Sequence, residues 1–142
     1  MTRYLLDTNV VSELIKARPD ERVVAWIRAM DEADLHLSVL TFAEIRYGIE
    51  KLTPGSRRER LRRWMDVDLA NRFENRILDV DRAIAELWGV IMARAAAVAV
   101  RLPVMDTLLA ATAEHHGMTM VTRNVRDFAR AGVVTFDPWS AA

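Results

Sequence analysis

The chain has no cysteine among its 142 residues. That excludes disulfide stapling, thiolate zinc sites and cysteine nucleophiles. Three histidines are too few for a histidine-rich metal site. Glycine is sparse and scattered, at Gly48, Gly55, Gly89, Gly117 and Gly132. No glycine-rich loop cradles a phosphate, which disfavours dinucleotide binding and Walker-type ATP hydrolysis. The longest apolar run is Ala95 to Val100, far short of the roughly 20 residues a membrane-spanning helix needs. The opening MTRYLLDTNVV carries one basic residue, and its apolar stretch stops at Asp7. It does not read as a secretory leader, so the expectation is a cytoplasmic protein without membrane association. Lysine is confined to Lys16 and Lys51, against eighteen arginines. Twenty basic and twenty acidic residues cancel, so net charge argues neither for nor against a nucleic-acid partner.

What is present is an ordinary folded composition, 51% hydrophobic and 28% charged. The length suits one domain over residues 1–142 with its own core. Short apolar runs at Arg3–Leu6, Leu35–Val39, Ile77–Val80, Thr119–Thr122 and Val133–Phe136 read as strands. Helical spacing fills the intervals. Helices are expected over Asn9–Lys16, from Asp20 through Met30, over Thr41–Leu52, from Ser56 to about Phe73, from Asp81 to about Val100, and from Pro103 to His116, where Gly117 ends it. Short buried strands alternating with helices predict an α/β fold, a parallel β-sheet flanked by α-helices on both faces. Such sheets hold ligands outside the carboxyl ends of their strands.

Four acids occupy that edge in the predicted fold. Asp7 ends the first strand, in LLDTN. Glu44 lies in the first turn of its helix, in TFAEIRYG. Asp106 follows Pro103, in PVMDTLLA, and Asp127 follows the fourth strand, in TRNVRDF. Crowded carboxylates repel one another and raise one another's pKa. A hard divalent cation relieves that strain, and Mg2+ and Mn2+ favour oxygen ligands. Each acid also has a local explanation. Asp7, Asp106 and Asp127 suit helix N-termini, and Thr41-x-x-Glu44 has the form of a capping box.

Taken in order, LLDTNVVSEL, TFAEIRYGI, PVMDTLLAATA and TRNVRDF resemble the PIN-domain ribonucleases, and most of all the VapC/FitB-type toxins of type II toxin–antitoxin pairs. The likeness runs from Tyr4 to about Pro138. It implies a PIN fold, and it implies that Asp7, Glu44, Asp106 and Asp127 are the metal-binding and catalytic acids. By the same motifs Asn9, Thr122 and Asn124 orient carboxylates or water; local capping explains Asn9 and Thr122 equally well. Glu13 either faces the site or lies on exposed helix surface. The implied reaction is Mg2+- or Mn2+-assisted hydrolysis of an RNA phosphodiester, leaving a 5′-phosphate. The implied partners are a VapB-type antitoxin, able to insert an arginine among the acids, and a second copy of the chain. The alternative is a PIN-type nuclease of RNA processing without a cognate antitoxin.

Other features carry less. Arg57, Arg58 and Arg60, with Arg62 and Arg63, form the densest basic run. They either track RNA phosphates or form a solvated helix face. Trp64 reads as packing. His115 and His116 suit a helix C-terminus, and Asp81 reads as a cap beside Asp79. A phospho-accepting receiver domain is disfavoured, because Asp7 stands alone and no lysine follows Lys51.

Overall fold

Among the described residues the short apolar runs become five strands of two to four residues, each too brief to hold itself without the elements packed against it. A computed structural model describes residues 1–140; the last two residues of the expected domain, Ala141 and Ala142, lie outside the described residues. The elements are β1 (Tyr4–Leu6), α1 (Thr8–Leu14), α2 (Glu21–Ala29), β2 (Leu35–Ser38), α3 (Val39–Glu50) and α4 (Ser56–Arg63). A π-helical turn (Trp64–Leu69) leads into the single turn α5 (Ala70–Arg72). Then follow β3 (Ile77–Leu78), α6 (Arg82–Ala97), α7 (Val104–His116), β4 (Thr119–Val121), α8 (Val125–Arg130) and β5 (Thr135–Phe136).

All strand pairings are parallel, in the order β3-β2-β1-β4-β5. Successive strand residues face opposite ways, and β1 uses both faces. Leu6 packs with Val10, Val23, Ile27, Leu37 and Phe73 on one side. Leu5 packs with Leu109, Ala113, Met120 and Phe128 on the other. Both leucines are fully buried, each contributing roughly 1.5–3 kcal/mol of transfer free energy. A third cluster, with Ile84, Ile91, Ala95, Leu102 and Ala111, joins α6 to α7. Among the described residues no helix is long and apolar enough to cross a membrane.

The expected caps at Asp20 and Asp81 are present, each accepting a backbone N–H of the helix it starts. Gly117 ends α7 in the left-handed conformation at φ 64°. Two expectations are corrected. The helix expected from Thr41 begins at Val39, capped by Ser38, whose side chain accepts from Leu40 N. Thr41 is therefore interior, Glu44 lies in the second turn rather than the first, and no capping box forms. The helix expected from Ser56 to Phe73 is interrupted by the π turn.

This topology positions the site. Chain order reverses between β1 and β4, which puts a crevice at their carboxyl ends. Their register pairs Leu6 with Val121, and Asp7 N donates to Val121 O at 2.9 Å. Asp7 and Thr122 are thereby the next residues along adjacent strands.

Candidate active site

Asp7 caps α1 and belongs to the site at once. Its Oδ1 accepts from Thr8 N at 2.7 Å, and its Oδ2 accepts from the Thr122 hydroxyl at 2.8 Å. Asp7 is 6% exposed and Thr122 fully buried. Burial pushes the Asp7 carboxyl up to about 6 from 3.8; the two hydrogen bonds oppose this, and the carboxylates of Asp106 and Glu44 reinforce it.

Glu44 is held from the next strand's helix. The Thr8 hydroxyl donates to Glu44 Oε1 at 2.7 Å and lies 3.3 Å from the Thr41 hydroxyl. Asp106 comes from the first turn of α7. Burial raises its carboxyl, and the charges of Glu44 and Asp127 raise it further, against a lowering bond from Asn124. Asp127 comes from the first turn of α8. Asn124 ties these two together, its Nδ2 donating to Asp127 Oδ2 at 2.9 Å and to Asp106 Oδ2 at 3.3 Å. Asn124 N in turn donates to the Thr122 hydroxyl at 2.9 Å. One hydroxyl thus links the Asp7 branch to the Asp106–Asp127 branch.

The four acids share one electrostatic neighbourhood, but they do not form a closed cage. Among the described residues no three His, Cys, Asp or Glu side chains are grouped to hold an ion by themselves. The donor set nevertheless fits Mg2+ or Mn2+. It is all oxygen, it carries unrelieved negative charge, and it leaves places for water and phosphate, as Mg2+ commonly requires. Asn9 reaches Thr122 Oγ1 through Nδ2 at 3.5 Å. Its Oδ1 is buried without a partner, an open acceptor for a bound water.

Glu13 is buried, but its carboxylate accepts from Lys16 Nζ at 2.8 Å and Asp20 N at 2.9 Å. It braces the α1–α2 connection and faces neither the acids nor solvent. Arg57 lines a cleft of about 240 Å3 with Thr8, Glu44, Leu61 and Trp64. Arg60 and Arg57 line the adjoining hollow with Lys16. Arg58 turns to the Leu52 carbonyl at 3.4 Å, with its Nε buried and unpartnered. Thr8 was not singled out from sequence, although its place inside the DTN motif marks it.

Comparison with known proteins agrees with this fold. A family model described as PIN domain matches residues 4–134. "Toxin FitB" of Neisseria gonorrhoeae is 36% identical over 135 residues, covering 95% of this chain and 97% of that protein. "VapC ribonuclease Y4jK" of Sinorhizobium fredii is 36% identical over 138 residues, covering 97% and 99%. Among solved structures, FitAB bound to an IR36 DNA fragment superposes with a TM-score of 0.91 at 37% identity, covering 98% of this chain and 97% of that one.

Proposed function

This chain belongs to the PIN-domain family, and from that premise we propose that it is a metal-dependent endoribonuclease, the toxin of a VapBC-type toxin–antitoxin pair. The observation that carries the reading is the linked acid set, Asp7, Glu44, Asp106 and Asp127, at the switch point of a parallel sheet. The names of the relatives, a toxin and a VapC ribonuclease, favour this over a processing nuclease without an antitoxin. Cellular RNA as substrate sets its place of action in the cytoplasm.

Asp7, Glu44, Asp106 and Asp127 are the residues to hold Mg2+ or Mn2+. The bound ion supplies Lewis-acid chemistry, easing deprotonation of water and offsetting charge at phosphorus. The protein's part is orientation. Thr8 and Thr122 fix the two oxygens of Asp7, Thr8 fixes Glu44, and Asn124 holds Asp106 and Asp127 in one arrangement. A carboxylate of the set takes the proton from the attacking water. The bond to the 3′-oxygen breaks as the new P–O bond forms, and the departing oxygen takes a proton from solvent water, giving a 3′-hydroxyl and a 5′-phosphate. An antitoxin arginine would pair with the same carboxylates and compete with the ion.

Purified, antitoxin-free protein incubated with total RNA tests this. Discrete fragments are expected with Mg2+ or Mn2+, and none with EDTA or with Asp7→Asn. Fragments that persist in the Asp7→Asn protein would place the activity elsewhere.

A further inference from the structure

Four carboxylates at one rim repel a polyanion, and a single divalent ion does not cancel them. RNA reaches such a rim only where nearby cations take its phosphates. Arg57 meets that need beside Thr8 and Glu44. The turn after β4 carries a second cation that the motif reading passed over. Arg123 stands between Thr122, which bonds Asp7, and Asn124, which bonds Asp106 and Asp127. Its two neighbours turn into the acid set, while Arg123 is exposed and its guanidinium lies 5.1 Å over the ring of Trp139.

Trp139 is a rigid platform. It is 5% exposed and belongs to the core cluster that includes Leu6 and Val121. Its backbone N–H donates to Asp137 Oδ1 at 2.8 Å. A guanidinium held over an aromatic ring rather than paired with a carboxylate retains N–H donors for a phosphate. Among the described residues Arg123 enters no ion pair, unlike Arg22, Arg46, Arg62, Arg72, Arg76 and Arg82. Each of those is already committed to a carboxylate.

We propose that Arg123, positioned by the Trp139 ring, binds an RNA phosphate adjacent to the scissile one. This rests on the nuclease reading and adds a specific substrate contact to it. A bidentate guanidinium–phosphate contact one residue from the groups that orient Asp7 and Asp106 would set the strand's register over the acids.

The test is fluorescence anisotropy of a short labelled single-stranded RNA in EDTA, so that no cleavage intervenes. The Kd is measured across a series of KCl concentrations for the wild type, Arg123→Ala, Arg123→Lys and the α2 surface control Arg28→Ala. For Arg123→Ala, affinity should fall about 3- to 10-fold and the slope of log K against log salt should shrink by about 0.7, the loss of one phosphate contact on a single strand. Arg123→Lys should restore the slope but only part of the affinity, since lysine keeps the charge and loses the fork. Arg28→Ala should match the wild type. An Arg123→Ala protein with wild-type affinity and slope overturns the inference, as does one whose only change is a lower melting temperature. Cleavage of total RNA by the wild type, run in parallel, separates the two levels. An active wild type with indifferent Arg123 variants sinks this contact alone, whereas a wild type that neither binds nor cleaves sinks the nuclease reading itself.

Discussion

Asp7 is a buried acid whose proton is held more tightly in the folded chain than in the unfolded one. Its carboxyl is raised to about 6, so its favourable contribution to stability is complete below about pH 4 and is lost as pH climbs through about 6. Asp7→Asn removes that loss. Urea unfolding in EDTA should find the variant more stable than wild type at pH 7, by on the order of 1–3 kcal/mol, and equal to it near pH 4. The same variant should lose cleavage. A variant less stable than wild type at pH 7 would deny the carboxylate strain. Thr122 makes the complementary case. Its hydroxyl donates to Asp7 and accepts from Asn124 N and, at 3.5 Å, from Asn9 Nδ2, so Thr122→Val takes a partner from three polar groups at a buried position. The expected cost is about 1–3 kcal/mol. Since the Thr122 bond lowers the Asp7 pKa, the acidic limb of the rate–pH profile should also move to higher pH; an unmoved limb would separate Asp7 from the limiting ionisation. The motif named Asp7 and Thr122 in the sequence. The Thr8–Glu44 bond was not legible there, because its partners stand 36 residues apart and only the fold joins them.

Helix ends show where sequence patterns decide and where they do not. Gly117 after α7 was legible because only glycine enters the left-handed region without penalty. Met118 N there donates to Ala113 O at 2.8 Å, closing a Schellman motif. The end of α6 repeats the motif, with Val100 N donating to Ala95 O at 2.9 Å, but the left-handed residue is Ala99, at φ 57°. Alanine gives no signal for that turn, and the sequence carried the helix on to Val100. The pair makes opposite expectations. Ala99→Gly should stabilise the chain and Gly117→Ala destabilise it, each by about 1 kcal/mol. A Cβ on Gly117 meets nothing within 4 Å, so backbone conformation alone sets that figure. Thermal unfolding of both variants checks it, and two shifts of the same sign would contradict it. The start of α3 failed for another reason. Ser38 and Thr41 have the same capping chemistry, and the Glu three residues after Thr41 made the wrong one look better. Ser38 wins because β2 runs into α3 with no connecting loop. The π turn at Trp64–Leu69 left no trace in composition, yet Met65, Leu69 and Phe73 are buried.

The fold gathers four carboxylates, Asp7, Glu44, Asp106 and Asp127, at one edge of its sheet. Short apolar runs between helical segments made the parallel sheet legible, and the rule for such sheets named the edge. The reversal between β1 and β4 could not be read from the sequence, since strand order is set by how helices cover both faces. That reversal brings acids of four separate motifs into one field, and it leaves them open rather than caged. An open set of this kind should gain stability from a cation, in competition with the Asp7 proton. Added Mn2+ or Mg2+ should therefore raise the melting temperature of the EDTA-stripped protein, and raise it more at pH 8 than at pH 5. At an ion concentration of about 100 Kd the gain is roughly 2.7 kcal/mol. Asp7→Asn should lose most of it while starting from a more stable apoprotein, so the two melting curves should converge as the ion is added. A wild type indifferent to both ions at pH 8 would detach the acid set from metal binding, and the repulsion among its carboxylates would then need another partner to relieve it.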